Sequence, residues 1–93
     1  MLKYEFDPRI LDIRESENEN DAEFLIRIPD GSPGLAEMRK VQHHFEDDND
    51  YTDVLFYLYP NHEFKVILQR EHYADFLAEL MKRKLLRSLE WTD

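Results

Sequence analysis

The sequence predicts an α+β fold: an antiparallel sheet of four to six strands with a C-terminal helix packed on one face. Three observations predict it. Residues 54–59 (Val-Leu-Phe-Tyr-Leu-Tyr), the turn-formers Pro60-Asn61-His62-Glu63 and residues 64–69 together read as a β-hairpin. Tyr73, Phe76, Leu77, Leu80 and Met81 recur on one face of a helix that starts at about Glu71. Nearer the N-terminus, apolar residues alternate with polar ones at the period of a half-buried strand.

Taken in order, Leu2, Tyr4 and Phe6 alternate with Lys3 and Glu5, so the chain opens on a strand. Asp7-Pro8 bends it, because proline fixes its own φ and biases its predecessor toward extended backbone. Residues 9–14 are expected to continue as strand through Ile10, Leu11 and Ile13. Residues 15–22 are polar and aperiodic, which reads as a solvated hairpin loop. Phe24, Ile26 and Ile28 then mark another strand, ended by the turn-formers Pro29-Asp30-Gly31-Ser32-Pro33-Gly34.

Residues 35–45 satisfy two periods at once. Leu35, Met38, Val41 and Phe45 suit a helix, with Ser32 and Pro33 as N-cap and first helical residue, while Val41, His43 and Phe45 suit a strand. Helix and strand both stay open there. After Met81 the apolar stripe of the last helix drifts, so the helix is expected to stop near Lys84, with a final strand over residues 86–91. Lys82, Arg83 and Lys84 then sit at a helix C-terminus, where the dipole favours cations.

The 93 residues, with no linker or repeat, are read as a single domain spanning 1–93. The 42% apolar and 13% aromatic content is enough to fold despite 35% charged residues. There is no cysteine, hence no disulfide, thiolate metal site or cysteine nucleophile. No apolar run reaches the roughly 18 residues that a membrane-spanning helix needs, and no signal peptide is visible, so no membrane partner is expected and a cytoplasmic location is. A formal net charge of −9 argues against direct nucleic-acid binding, since phosphate backbones repel such a chain. Ten of the 21 acids fall in two runs: Glu15, Glu17, Glu19, Asp21 and Glu23, then Glu46, Asp47, Asp48, Asp50 and Asp53.

Catalytic motifs do not emerge. Two glycines, Gly31 and Gly34, cannot write a nucleotide-binding loop, and no serine sits in a nucleophile elbow. An enzyme is not expected, and no cofactor is. His43 and His44 beside Glu46, Asp47 and Asp48 are the candidate divalent-metal ligands by residue type, but adjacent histidines diverge on either a helix or a strand. Asp48, Asp50 and Thr52 have a calcium-loop spacing without its glycine or closing glutamate. His62, in the hairpin turn, has no evident partner, and His72 is expected to pack or cap at the start of the helix.

The hairpin makes the strongest demand. Val54, Phe56 and Leu58 face one side with Phe64, Val66 and Leu68; Leu55, Tyr57 and Tyr59 face the other with Ile67. A sheet that is apolar on both faces needs cover on both. The last helix supplies one cover. The second must come from residues 35–45, from the C-terminal strand or from another protein. Leu55, Tyr57, Tyr59 and Ile67, with Trp91 and the pair His43 and His44, are therefore the candidate partner-binding residues. The leading expectation is a non-enzymatic protein-interaction module, homodimeric through the second sheet face. An acidic inhibitor or regulator that docks on a basic partner is the alternative, and a divalent-metal site at His43 and His44 the third.

Overall fold

The computed structural model describes residues 2–48, 51 and 53–92. Its element order is β1 (Leu2–Glu5), β2 (Asp12–Glu17), β3 (Asp21–Arg27), α1 (Gly34–Glu46), β4 (Leu55–Tyr59), β5 (Glu63–Gln69), α2 (Tyr73–Lys82) and β6 (Ser88–Trp91). The fold is α+β, with a four-stranded antiparallel sheet in the order β2-β3-β5-β4 and a two-stranded sheet, β1-β6.

Several boundaries differ from those the sequence suggested. The strand expected from residue 9 begins at Asp12, because Ile10 and Leu11 donate their amides to the Asp7 carbonyl and close a turn. The acidic loop expected over residues 15–22 is mostly ladder: Glu15, Ser16 and Glu17 pair with Phe24, Glu23 and Ala22. Only three residues, Asn18 to Asn20, connect the strands. Alternation in that stretch is hidden because its inward position, Glu15, is a carboxylate whose partners are remote in sequence.

Residues 34–46 form a helix, which settles the double periodicity in favour of the 3.6-residue period: Met38, Val41 and Phe45 are buried while His43 is exposed. The Ser32 hydroxyl does the capping. It accepts the Gly34 amide at 3.0 Å and donates to the Ile10 carbonyl at 2.6 Å. The backbone passes so close there that a Cβ on Gly34 would meet the Ile10 oxygen at 3.0 Å.

A 3₁₀ turn, Arg70–His72, leads into α2. The helix ends where Leu85 donates to the Leu80 carbonyl and Lys84 to that of Met81, the paired bonds of a Schellman motif. Lys84 takes the left-handed conformation (φ 62°) normally given to glycine. This reversal is why the apolar stripe drifts after Met81: Leu85 and Leu86 enter the core from outside the helix. The chain then returns as β6, antiparallel to β1, with Leu2 opposite Trp91.

Both helices lie on the same face of the large sheet. Phe24 of β3 packs on Phe76 of α2 (ring centroids 4.9 Å), and Phe45 of α1 packs on Phe76 (5.8 Å) and on Phe56 of β4 (6.3 Å). The core is thus the layer between helices and sheet, with Phe24, Ile26, Phe64, Val66 and Leu68 as its floor. No helix is long and apolar enough to cross a membrane among the described residues.

Candidate interaction surface

The opposite face of the sheet carries neither helix. Strand register arranges its side chains in three rows across β4, β5, β3 and β2: Leu55, Ile67, Glu23, Ser16; Tyr57, Lys65, Leu25, Arg14; and Tyr59, Glu63, Arg27, Asp12. The rows grade from apolar at β4 to charged at β2. Lys65 reaches Glu23 at 3.5 Å in the middle of this face. Leu55, Tyr57, Tyr59 and Ile67 therefore share one face and meet at one corner, where Leu55 is 44%, Tyr57 46% and Tyr59 45% exposed.

β4 is also an edge strand, pairing among the described residues with β5 alone. Its inward side is not closed either: Leu58, on the helix-facing side, is 49% exposed. An edge strand that is apolar on both faces, with free N–H and C=O groups along its outer side, is a template for a further strand. Natural edges are normally blunted by charge, proline or a bulge within the strand. Leu55–Tyr59 contains none of these.

The other candidate residues lie elsewhere. Trp91, 74% exposed, is on β6 and lines a hollow of about 700 Å³ with Leu2, Tyr4, Glu15 and Tyr73. This hollow adjoins β2, the opposite edge from β4 and three strand spacings away, roughly 14 Å. His43 and His44 occupy the last turn of α1, beside Arg83 and Asp47. His44 Nε2 faces Glu79 Oε1 at 3.7 Å, and Glu79, buried, also takes the Arg83 guanidinium at 3.0 Å. The two histidines are thus on the helix layer, not on the open sheet face. Asp50 and Thr52 of the calcium-like spacing lie outside the described residues.

Two features escaped the sequence. Glu15 accepts hydrogen bonds from Tyr4 (2.8 Å) and Tyr73 (2.9 Å), so one carboxylate ties β1, β2 and α2 together. Burial, then the hydrogen bond to Glu15 and its negative charge, push both phenols above the ordinary tyrosine range. His72 stands at the N-cap position of α2 without a side-chain capping bond; its ring packs against Tyr51, and it sits among Asp53, Glu71 and Asp75. His62 Nδ1 is buried without a hydrogen-bond partner among the described residues, the exposed Asp30 carboxylate standing 3.5 Å away. The adjacent Glu71 and the i,i+3 spacing of His72 to Asp75 were the sequence signals for the acidic cluster; for the tyrosine pair there was none. Comparisons with protein-family models, with curated proteins and with solved structures gave no match.

Proposed function

We propose that the protein is an interaction module that pairs with a second copy of itself by adding β4 to the partner's β4. The observation behind this reading is the uncharged, two-faced edge Leu55–Tyr59, with no strand paired to its outer side among the described residues. Antiparallel pairing about Tyr57 sets Leu55 opposite the partner copy's residue 59, Phe56 opposite residue 58, and residue 57 opposite itself. Every cross-strand pair is then aromatic or aliphatic, and such pairs contribute about 0.2–1 kcal/mol each over alanine. A chain of net charge −9 repels its own copy over most approaches. An edge without charge is where that repulsion is least.

The acidic-regulator reading has less support, because its first acidic run is partly engaged within the chain: Glu15 by Tyr4 and Tyr73, Glu23 by Lys65. A cytoplasmic location belongs to the proposal, on the charge-rich, cysteine-free composition. Sedimentation velocity at micromolar concentration tests it. The wild-type chain is expected to sediment as a dimer and Tyr57→Glu as a monomer with unchanged circular dichroism. A wild-type monomer, or a dimer that survives the substitution, overturns β4 pairing.

A further inference from the structure

We propose that His72, Asp53 and Glu71 form a binding site for a zinc-class divalent ion, remote in its chemistry from the β4 edge. Asp53 comes from the segment just before β4, and Glu71 and His72 from the 3₁₀ turn before α2. His72 Nε2 stands 3.0 Å from Asp53 Oδ1 and 3.8 Å from Glu71 Oε1, and one donor atom from each residue lies within 4.8 Å of the other two. Ligands about 2.0–2.1 Å from a tetrahedral ion are separated from one another by roughly 3.4 Å. The two distances at Nε2 bracket that separation, and rearrangement of the Asp53 and exposed Glu71 side chains would bring the three donors onto one ion, leaving a fourth position to water.

Three further observations distinguish the group from surface acids in general. The imidazole is largely shielded (side chain 14% exposed) and packed edge-on against the Tyr51 ring at 5.0 Å, so its orientation is fixed by packing. Its other nitrogen, Nδ1, faces Asp75 Oδ2 at 3.8 Å, and that carboxylate also accepts from the Tyr51 hydroxyl at 3.4 Å. Both ring nitrogens thus face a carboxylate, Nε2 the closer one; a metal at Nε2 would take the place of the proton shared with Asp53 and leave Nδ1–H to Asp75, the usual outer partner of a ligating histidine. Finally, three carboxylates surround one imidazole, and among the described residues Asp53, Glu71 and Asp75 form ion pairs with His72 alone. A neutral ring leaves three negative charges and an imidazolium two, whereas a divalent cation offsets most of them.

The donor set also selects the ion. Imidazole suits zinc, nickel and copper, while calcium and magnesium prefer all-oxygen shells with more ligands than three residues supply. Glu71 is 70% exposed and leaves the ion a route from solvent.

Isothermal titration of the chelator-treated chain with zinc chloride tests the proposal, with calcium chloride in parallel. One zinc per chain is expected, with His72→Gln abolishing the heat and Glu71→Gln weakening affinity at least tenfold. The double variant His43→Gln/His44→Gln is expected to bind as the wild type does, and calcium to give no heat. Glu71, on the surface, keeps the test decisive should His72→Gln not fold. Absence of zinc heat, zinc affinity unchanged in Glu71→Gln, loss of binding in the His43/His44 variant, or calcium bound as tightly as zinc each overturns the assignment.

Discussion

β2 closes one side of the large sheet with Asp12, Arg14, Glu15 and Glu17 among its six residues, whereas β4 closes the other with Leu55, Phe56, Tyr57, Leu58 and Tyr59. The two edges share one sheet, one helix layer and one core. At β2 the side chains are charged, and Glu15 is held from within by Tyr4 of β1 and Tyr73 of α2. At β4 nothing is charged, and Leu55, Tyr57, Leu58 and Tyr59 are nearly half exposed. The contrast shows that the protein does protect an edge in the ordinary way, by charge and by neighbouring structure. The bare edge is therefore a local property of β4, not a general looseness of a small domain.

The row of side chains that joins the two edges on the helix side gives the sharpest test of that contrast. It runs Glu15, Phe24, Val66, Phe56. Phe24 is fully buried against Tyr73 and Phe76, so Phe24→Ala is expected to cost about 3–5 kcal/mol through lost burial and the cavity left behind. Phe56, half-buried at the β4 end, is expected to cost less than half as much. Urea denaturation at dilute protein concentration measures both. Equal losses would mean that β4 is as firmly packed as the centre, and the contrast between edges would go.

The β2 edge is expected to respond to its clasp. Glu15→Gln or Tyr73→Phe should cost about 1–2 kcal/mol, the value of a partly exposed hydrogen bond to a charged group, without changing sedimentation. A shift in association state would bring β2 into the interface. The same clasp has an alkaline signature. Because the folded phenols of Tyr4 and Tyr73 titrate above their unfolded value, their contribution is complete below the ordinary phenol pKa of about 10 and is lost as pH rises beyond it. Absorbance at 295 nm should show two of the five tyrosines resisting ionisation until the chain unfolds, and resisting less in Glu15→Gln.

Much of the fold was legible because its longest signals are local. The hairpin's two faces, the helix stripe from Tyr73 to Leu80 and the cluster of turn-formers at residues 29–34 each declare themselves within a short continuous stretch. The mistaken loop at 15–22 has the opposite origin. Glu15 occupies an inward strand position by virtue of hydroxyls 11 and 58 residues away, and no local pattern reports such partners. Which layer α1 would join was equally hidden: Met38, Val41 and Phe45 announce an apolar stripe but not the sheet face it seeks. That choice matters most for function, since α1 on the helix side leaves Leu55, Tyr57 and Tyr59 uncovered. The acidic cluster at His72 joins Asp53 to Glu71 across the whole hairpin, so Glu71 and Asp75 stood close in sequence to His72 but Asp53 did not.

The smallest effect expected on the isolated chain is also the most discriminating. Tyr57→Thr keeps a β-branched residue on an exposed strand position, so the monomer should lose no more than about 0.5 kcal/mol. The same substitution removes the ring at the centre of the proposed pairing. If β4 joins a second copy, the wild-type unfolding midpoint must rise with protein concentration, because only the folded chain presents the edge. In Tyr57→Thr that dependence should flatten, while the midpoint at the lowest concentration stays nearly unchanged. A wild-type midpoint independent of concentration would leave β4 an exposed edge without a second copy to cover it. A variant that lost stability at every concentration alike would show Tyr57 serving its own sheet.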